Sequence, residues 1–235
     1  MKFQLHGEAP FDHSCPVLVL VCFEGQTDAP LLARYDQVLG GAITALFRDK
    51  EFTGAFGTTK LFPTLGKAAA ERLLLVGLGK EKEFTPERLR QAGGVAAQAL
   101  KAISLRTCSV LVPEGQELPR AVAEGLALGS YSFNQYRTKP EEKEALDTVR
   151  FLVPESSDTG EAEQVLDEAR LLCEAVRFAR DLVSQPGNVA TPSWLAEKAL
   201  EMAALFDIPC HVWDREEIER HGMAAFLAVA RGSRR

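Results

Sequence analysis

Two unbroken aliphatic runs constrain the fold more than any other feature of this chain. They are Pro16-Val17-Leu18-Val19-Leu20-Val21-Cys22-Phe23 and Arg72-Leu73-Leu74-Leu75-Val76-Gly77-Leu78-Gly79. Neither alternates polar with apolar residues, so each suits a strand buried on both faces. Such strands occur in parallel sheets covered by helices on either side. Thr107–Val112, stopped by Pro113, and Leu146–Val153 add two further strand segments. Helix patterns lie between them. Leu31–Phe47 is helix-compatible despite Gly40-Gly41, while Thr53–Pro63 reads as short strands around a turn. Thr85-Pro86-Glu87 opens a helix to about Ile103: Thr caps free amides, Pro fits the first turn, and Glu complements the positive helix end. Leu118–Phe133 reads as another helix, with Gly125 and Gly129 spaced for close approach to a sheet or a second helix. Strands alternating with helices predict an α/β sandwich with a largely parallel sheet over residues 1–155.

The pattern changes after residue 155. Pro154–Gly160 is a polar link, with Asp158 and Glu161 spaced as a capping pair. Ala162, Val165, Leu166, Ala169, Leu172, Cys173, Val176 and Ala179 then step by three and four, which predicts one helix over 158–183. Thr191-Pro192 starts a further helix to about Phe206. Ile208–Trp213 reads as a short strand and Asp214–His221 as a helical turn or two. One strand cannot satisfy its own edges. Residues 156–235 are therefore expected to be a linker helix and the opening of a second domain whose sheet lies further along a longer chain.

Composition narrows the function. With 46% hydrophobic and 26% charged residues, the 235-residue chain is an ordinary globular sequence. A formal net charge of −6 disfavours DNA as a partner. The longest apolar run, Val17–Phe23, is too short to span a bilayer, so no membrane is expected. The first eight residues carry no signal-peptide core, and a cytoplasmic location is the expectation. Five cysteines, Cys15, Cys22, Cys108, Cys173 and Cys210, form no CxxC and read as buried reduced thiols. The histidines are His6, His13, His211 and His221, and no HExxH occurs. His6-Gly7-Glu8 mimics the HxE of zinc deaminases, but no PCxxC follows. There is no GxSxG elbow and no Walker lysine. Gly77-Leu78-Gly79 lies where a dinucleotide loop would begin, but its third glycine is missing, and a strand-terminating turn is the better reading. Glu141–Glu144 and Arg215–Arg220 read as solvated charge runs, and Trp194 and Trp213 as core. Arg34, Arg48, Arg137 and Lys139 are a basic set with no sign of convergence. No residue is assigned a catalytic, cofactor-binding or metal-binding role.

Four stretches together resemble the leucyl aminopeptidase (cytosol aminopeptidase) family. The first is Leu74–Lys80 with Phe84-Thr85 and Arg90–Gly94. The second is Glu124–Phe133 with Tyr136. The third and most specific is Ala179-Arg180-Asp181-Leu182-Val183-Ser184-Gln185-Pro186-Gly187-Asn188-Val189-Ala190-Thr191-Pro192. The fourth is Gly222–Ser233. The resemblance runs from about Cys15 onward. It implies a macro-like N-terminal domain, a three-layer α/β sandwich with a mixed, largely parallel sheet, followed by the helical start of a second α/β domain, the catalytic one, which holds two divalent metal ions, manganese or zinc, and removes N-terminal amino acids from peptides. It also implies a hexameric homo-oligomer. The family's metal ligands and catalytic residues follow the Gly232-Ser233 motif, so none can be carried over. The expectation is a truncated aminopeptidase, inactive alone. The alternative is a stand-alone macro-like binding or assembly module for a nucleotide-type ligand or DNA.

Overall fold

The computed structural model describes residues 1–111, 117–138, 146–153 and 159–232. Six strands form one sheet: β1 (Lys2–His6), β2 (Leu18–Phe23), β3 (Thr59–Pro63), β4 (Arg72–Gly79), β5 (Thr107–Leu111) and β6 (Thr148–Leu152). Their order is β1-β6-β5-β2-β4-β3. Every pairing is parallel except β3 with β4. The sequence thus folds into the largely parallel α/β sandwich its periodicity predicts, with the mixed sheet the resemblance implies.

The unbroken runs occupy the centre because helices cover both faces. Val17 and Val19 point to one core, with α3 (Pro86–Ala102), α4 (Leu118–Gly129) and Leu166 and Ala169 of α5 (Thr159–Val183). Leu18, Leu20 and Cys22 point to the other, against α1 (Pro30–Val38) and α2 (Ala42–Arg48). This period-two sorting turns a run with no polar residue into two apolar faces. Thr85 caps α3 as expected, its Oγ1 accepting from the Arg88 amide at 3.2 Å.

Several boundaries differ from the sequence reading. Leu31–Phe47 is two helices rather than one, because Gly40 and Gly41 take φ of 69° and 81°. Those left-handed values suit glycine and end the first helix. Thr53–Pro63 holds one strand, β3, after a turn at Ala55–Thr58, where the Thr58 amide donates to the Ala55 carbonyl at 3.1 Å. α4 stops at Gly129 rather than Phe133, where the Ser130 hydroxyl turns back to the Ala127 carbonyl at 2.9 Å. β1 escaped the sequence reading altogether. Its signal was the alternation of Phe3 and Leu5 with Lys2, Gln4 and His6, and it pairs with β6 from Lys2–Thr148 to His6–Leu152. The Pro113 strand stop, the Glu141–Glu144 run, the Pro154–Asp158 part of the polar link and the Asp158 capping pair lie outside the described residues, as do Lys139 and Ser233.

Two compact units make up the chain, Met1–Phe178 and Ala179–Arg235. The second contains the end of α5, α6 (Pro192–Phe206), α7 (Arg215–Arg220) and α8 (Ala224–Ala230). α5 is continuous over Thr159–Val183, in line with its uninterrupted apolar stripe. Thr191 caps α6 by accepting from the Trp194 amide at 3.3 Å, and Asp214 and Glu217 form a reciprocal capping box on α7. The expected strand at Ile208–Trp213 does not form, and the sequence reading missed α8. Asp207, at φ 53°, ends α6, and the Ile208 amide is spent on the Ala203 carbonyl at 2.9 Å. A strand needs a neighbour to exchange bonds with, and none of the described residues beyond Leu152 forms one.

Candidate functional site

A set of chemistry-bearing side chains in the first unit lies beside β1, β5 and β6. His13 Nδ1 sits 2.7 Å from Glu8 Oε2, and His13 Nε2 sits 3.0 Å from Ser109 Oγ. A carboxylate only accepts, so Nδ1 carries the proton and points at Glu8. The His6 ring centroid is 5.5 Å from that of His13. Cys15 and Arg150 complete the group: the Cys15 thiol lies beside Ser109, and Arg150 acts on both His6 and Cys15.

Carboxylate, imidazole and hydroxyl in that order are the parts of a nucleophilic relay. Burial argues against that use here. Ser109 is fully buried and held in β5, and His13 is 3% exposed, so no substrate carbonyl can reach Oγ. What the arrangement does is tie the segment between β1 and β2 to the sheet. The deaminase-like His6-Gly7-Glu8 spacing places two of these residues, but among the described residues no group of three or more His, Cys, Asp or Glu side chains could hold a metal ion.

The group is sensitive to acid. The His13 hydrogen bond holds the Glu8 carboxyl below its ordinary range. Burial, then the neighbouring His13 and Arg150, hold His6 below the usual histidine value. Both folded values are depressed, so both contributions are complete above the unfolded values of about 4.3 and 6.5 and are lost as pH falls through the folded ones. Urea midpoints measured against pH are expected to fall first just below pH ~6.5, through His6, and again in the carboxylate range, through Glu8. His6→Gln should flatten the first decline and Glu8→Gln the second. Unchanged profiles in both variants would refute the assignment.

The other sequence candidates are structural. Gly77 is required because a Cβ there would overlap the backbone of Gly54 and Ala55. Gly79 has φ 75°, and a Cβ there would stand 3.0 Å from the Phe56 side chain. A 3-10 turn at Glu81–Glu83 separates this strand end from α3, so no helix N-terminus faces the glycines as a phosphate loop needs. Cys15, Cys22, Cys108 and Cys173 are buried thiols, and burial pushes Cys22 up to about 12. Cys210 is only half-buried. Neither tryptophan is core, contrary to expectation. Trp213 is exposed and stacks on His221 at 4.2 Å, and Trp194 is half-buried with Lys198 over its ring. Arg34 stacks on Phe11 and Arg48 pairs with Asp49, so these two members of the basic set are already engaged.

One buried ion cluster was not anticipated. The Glu124 side chain, 5% exposed, accepts from Arg90 Nε at 2.6 Å and Arg120 Nε at 2.8 Å. It pins α4 to α3 next to the close approach at Gly125.

The family-like stretches fall on defined elements. The first spans β4 and the start of α3, and the second covers α4 and the loop beyond it. The third runs from the end of α5 through the Pro186 turn to the cap of α6, and the fourth holds α8. Comparison with known proteins agrees with them. The model described as the cytosol aminopeptidase family, N-terminal domain, matches residues 19–140, and the catalytic-domain model of the same family matches residues 177–235. A probable cytosol aminopeptidase of Geotalea uraniireducens is 44% identical over 238 residues, covering 99% of this chain and 48% of the relative. One from Geobacter sulfurreducens is 46% identical over 224 residues, covering 93% and 45%. The chain thus spans about half the length of the curated relatives it matches. Among solved structures, a tomato leucine aminopeptidase mutant superposes with TM-score 0.86 at 26% identity, over 100% of this chain and 48% of that one. A bottromycin maturation enzyme in complex with Mn gives TM-score 0.71 at 25% identity, over 93% and 43%.

Proposed function

Because this chain belongs to the cytosol aminopeptidase family, we propose that its 235 residues are the N-terminal portion of a metal-dependent leucyl aminopeptidase. The observation that carries the reading is the order of the two family matches. An N-terminal domain match is followed by a catalytic-domain match of only 59 residues, from 177 to 235, on a chain half as long as its relatives. The proposed activity of the longer protein is release of N-terminal amino acids from peptides, by a homo-oligomer in the cytoplasm, with two divalent ions, manganese or zinc. The proposed division places a macro-like domain at 1–155 and a linker helix with the start of the catalytic domain at 156–235. The gap between the two family matches, residues 141–176, supports a boundary in this interval, and most of α5 lies in it.

The described residues do not fit a two-metal centre. Such a centre clamps water and scissile carbonyl through several ligands converging from one frame. No set of three or more candidate ligands converges among the described residues, so no catalytic step is assigned to this chain. Without the centre, the enzyme's acceleration of about 10⁶-fold or more has no source. The purified 235-residue chain, supplied with manganese or zinc, is expected to hydrolyse leucine amide no faster than buffer. It should also retain no stoichiometric metal through gel filtration. Turnover together with bound metal would overturn the reading.

A further inference from the structure

We propose that Arg150 and His6 form a binding site for a small monocarboxylate, on the sheet face beneath the segment between β1 and β2. Strand alternation puts the two side chains on one face. Phe3, Leu5, Cys108, Val110, Val149 and Phe151 pack in or against the core under α3 and α4, whereas Leu152 belongs to the core under α1 and α2. Gln4, His6, Ser109 and Arg150 therefore project from the second face. Arg150 lies mid-strand in β6, directly opposite Gln4 of β1 and Ser109 of β5. His6 is its diagonal neighbour, two residues along β1 from Gln4.

Arg150 has no acceptor within the protein. Its Nε is buried and hydrogen-bonds to nothing, and among the described residues it forms no ion pair. The contrast is with Arg90 and Arg120, which each give Nε to Glu124, at 2.6 and 2.8 Å. A guanidinium keeps its charge and can only donate, so a buried N–H calls for an acceptor from elsewhere. The polar groups beside it are spent on one another. With its proton on Nδ1 and directed at Glu8, His13 accepts at Nε2 from the Ser109 hydroxyl, 3.0 Å away. The His6 ring lies against His13 but has no hydrogen-bond partner among the described residues. Arg150 and His6 are both half-buried, and β1 is the edge strand, with Lys2 and Gln4 exposed beside them.

Donors without acceptors select an anion. The Nε–H and one Nη–H of a guanidinium form a fork that matches the two oxygens of a carboxylate, and a neutral imidazole adds one more N–H. The charges facing His6 agree with an anion between the two groups. Burial, then His13 and Arg150, hold His6 below the usual histidine value, and Glu8 opposes them. A bound carboxylate would add a second negative charge and raise His6. Glu8 also limits the charge the ligand carries. Its carboxylate acts on His6 and feels Arg150. A dianion would meet a repulsion from Glu8 that a single charge halves.

The test uses the whole 235-residue chain with acetate as the probe and chloride at equal ionic strength as the control. The readouts are the Arg150 Nε–H signal and the His6 ring titration, both by NMR. Millimolar acetate is expected to shift both saturably and to raise the His6 pKa, and chloride to do neither. Phosphate, as the dianion, should bind more weakly than acetate. Arg150→Lys keeps the charge but loses the fork, and should weaken acetate binding at least about tenfold. Gln4→Glu places a carboxylate directly opposite Arg150 and should abolish the binding. Gln4 is exposed on the edge strand, so loss of folding in the first variant leaves the second decisive. The proposal fails if acetate gives no saturable shift or if phosphate binds as tightly. It also fails if acetate affinity is unchanged in Gln4→Glu.

Discussion

Gly125→Ala is expected to destabilise the first unit by about 2–3 kcal/mol, whereas Gly94→Ala is expected to be neutral or to stabilise it by up to about 1 kcal/mol. Both glycines sit inside helices, where alanine has the better intrinsic propensity. Their surroundings decide the sign. A Cβ on Gly125 would overlap the Arg90 carbonyl oxygen and stand 3.0 Å from the Gly93 Cα. These are backbone atoms of α3, so no rotamer change can clear them. Only separation of α3 from α4 can. That movement would pull Arg90 away from Glu124 and leave a carboxylate that is 5% exposed with one partner. A buried charge stripped of a partner is costly. Gly94, by contrast, has only the Gly125 carbonyl oxygen near its virtual Cβ, at 3.8 Å, which is ordinary contact. Urea midpoints of the two variants measure the difference, provided the slopes match. Equal midpoints would show that the helix pair is not held at its backbone contact.

That contact illustrates what was legible in the sequence. Gly125 and Gly129 four apart announced a close approach, and the structure supplies the partner, a helix whose Gly94 Cα would lie 2.5 Å from a Cβ on Gly129. The central strands were legible because runs such as Leu73-Leu74-Leu75-Val76 leave no polar face to expose. β1 was less so, since two apolar residues in five carry little weight until β6 offers an edge. Ile208–Trp213 failed for the opposite reason: β propensity without a neighbour makes no ladder. The Glu8–His13–Ser109 chain was invisible because His13 and Ser109 are 96 residues apart, a separation no local spacing encodes.

The second unit is expected to self-associate, through an apolar surface that its own helices do not cover. On α6 only Ala203 is buried, while Leu205 and Phe206 are 76% and 65% exposed. Ile208, Trp213, Phe226 and Val229 are exposed as well. With no strand formed at Ile208–Trp213, nothing in this unit draws those faces into a sheet. Each large apolar side chain left in water forgoes about 1.5–3 kcal/mol of burial. Several of them joined in one patch would exceed what a monomer ordinarily exposes. If four such residues enter a contact, association gains about 6–12 kcal/mol, a range that includes the roughly 8 kcal/mol of a micromolar dissociation constant. In the proposed longer enzyme the same faces would be covered by the remainder of its catalytic domain. Sedimentation of the 235-residue chain should therefore show concentration-dependent association across the micromolar range. Leu205→Glu combined with Phe226→Lys should return it to monomer, since both side chains are already exposed and neither supports the fold. A wild-type chain that remains monomeric at about 100 µM, roughly a hundredfold above a micromolar dissociation constant, would mean that these faces are compatible with solvent. In that case the second unit would not need the rest of a catalytic domain to cover it.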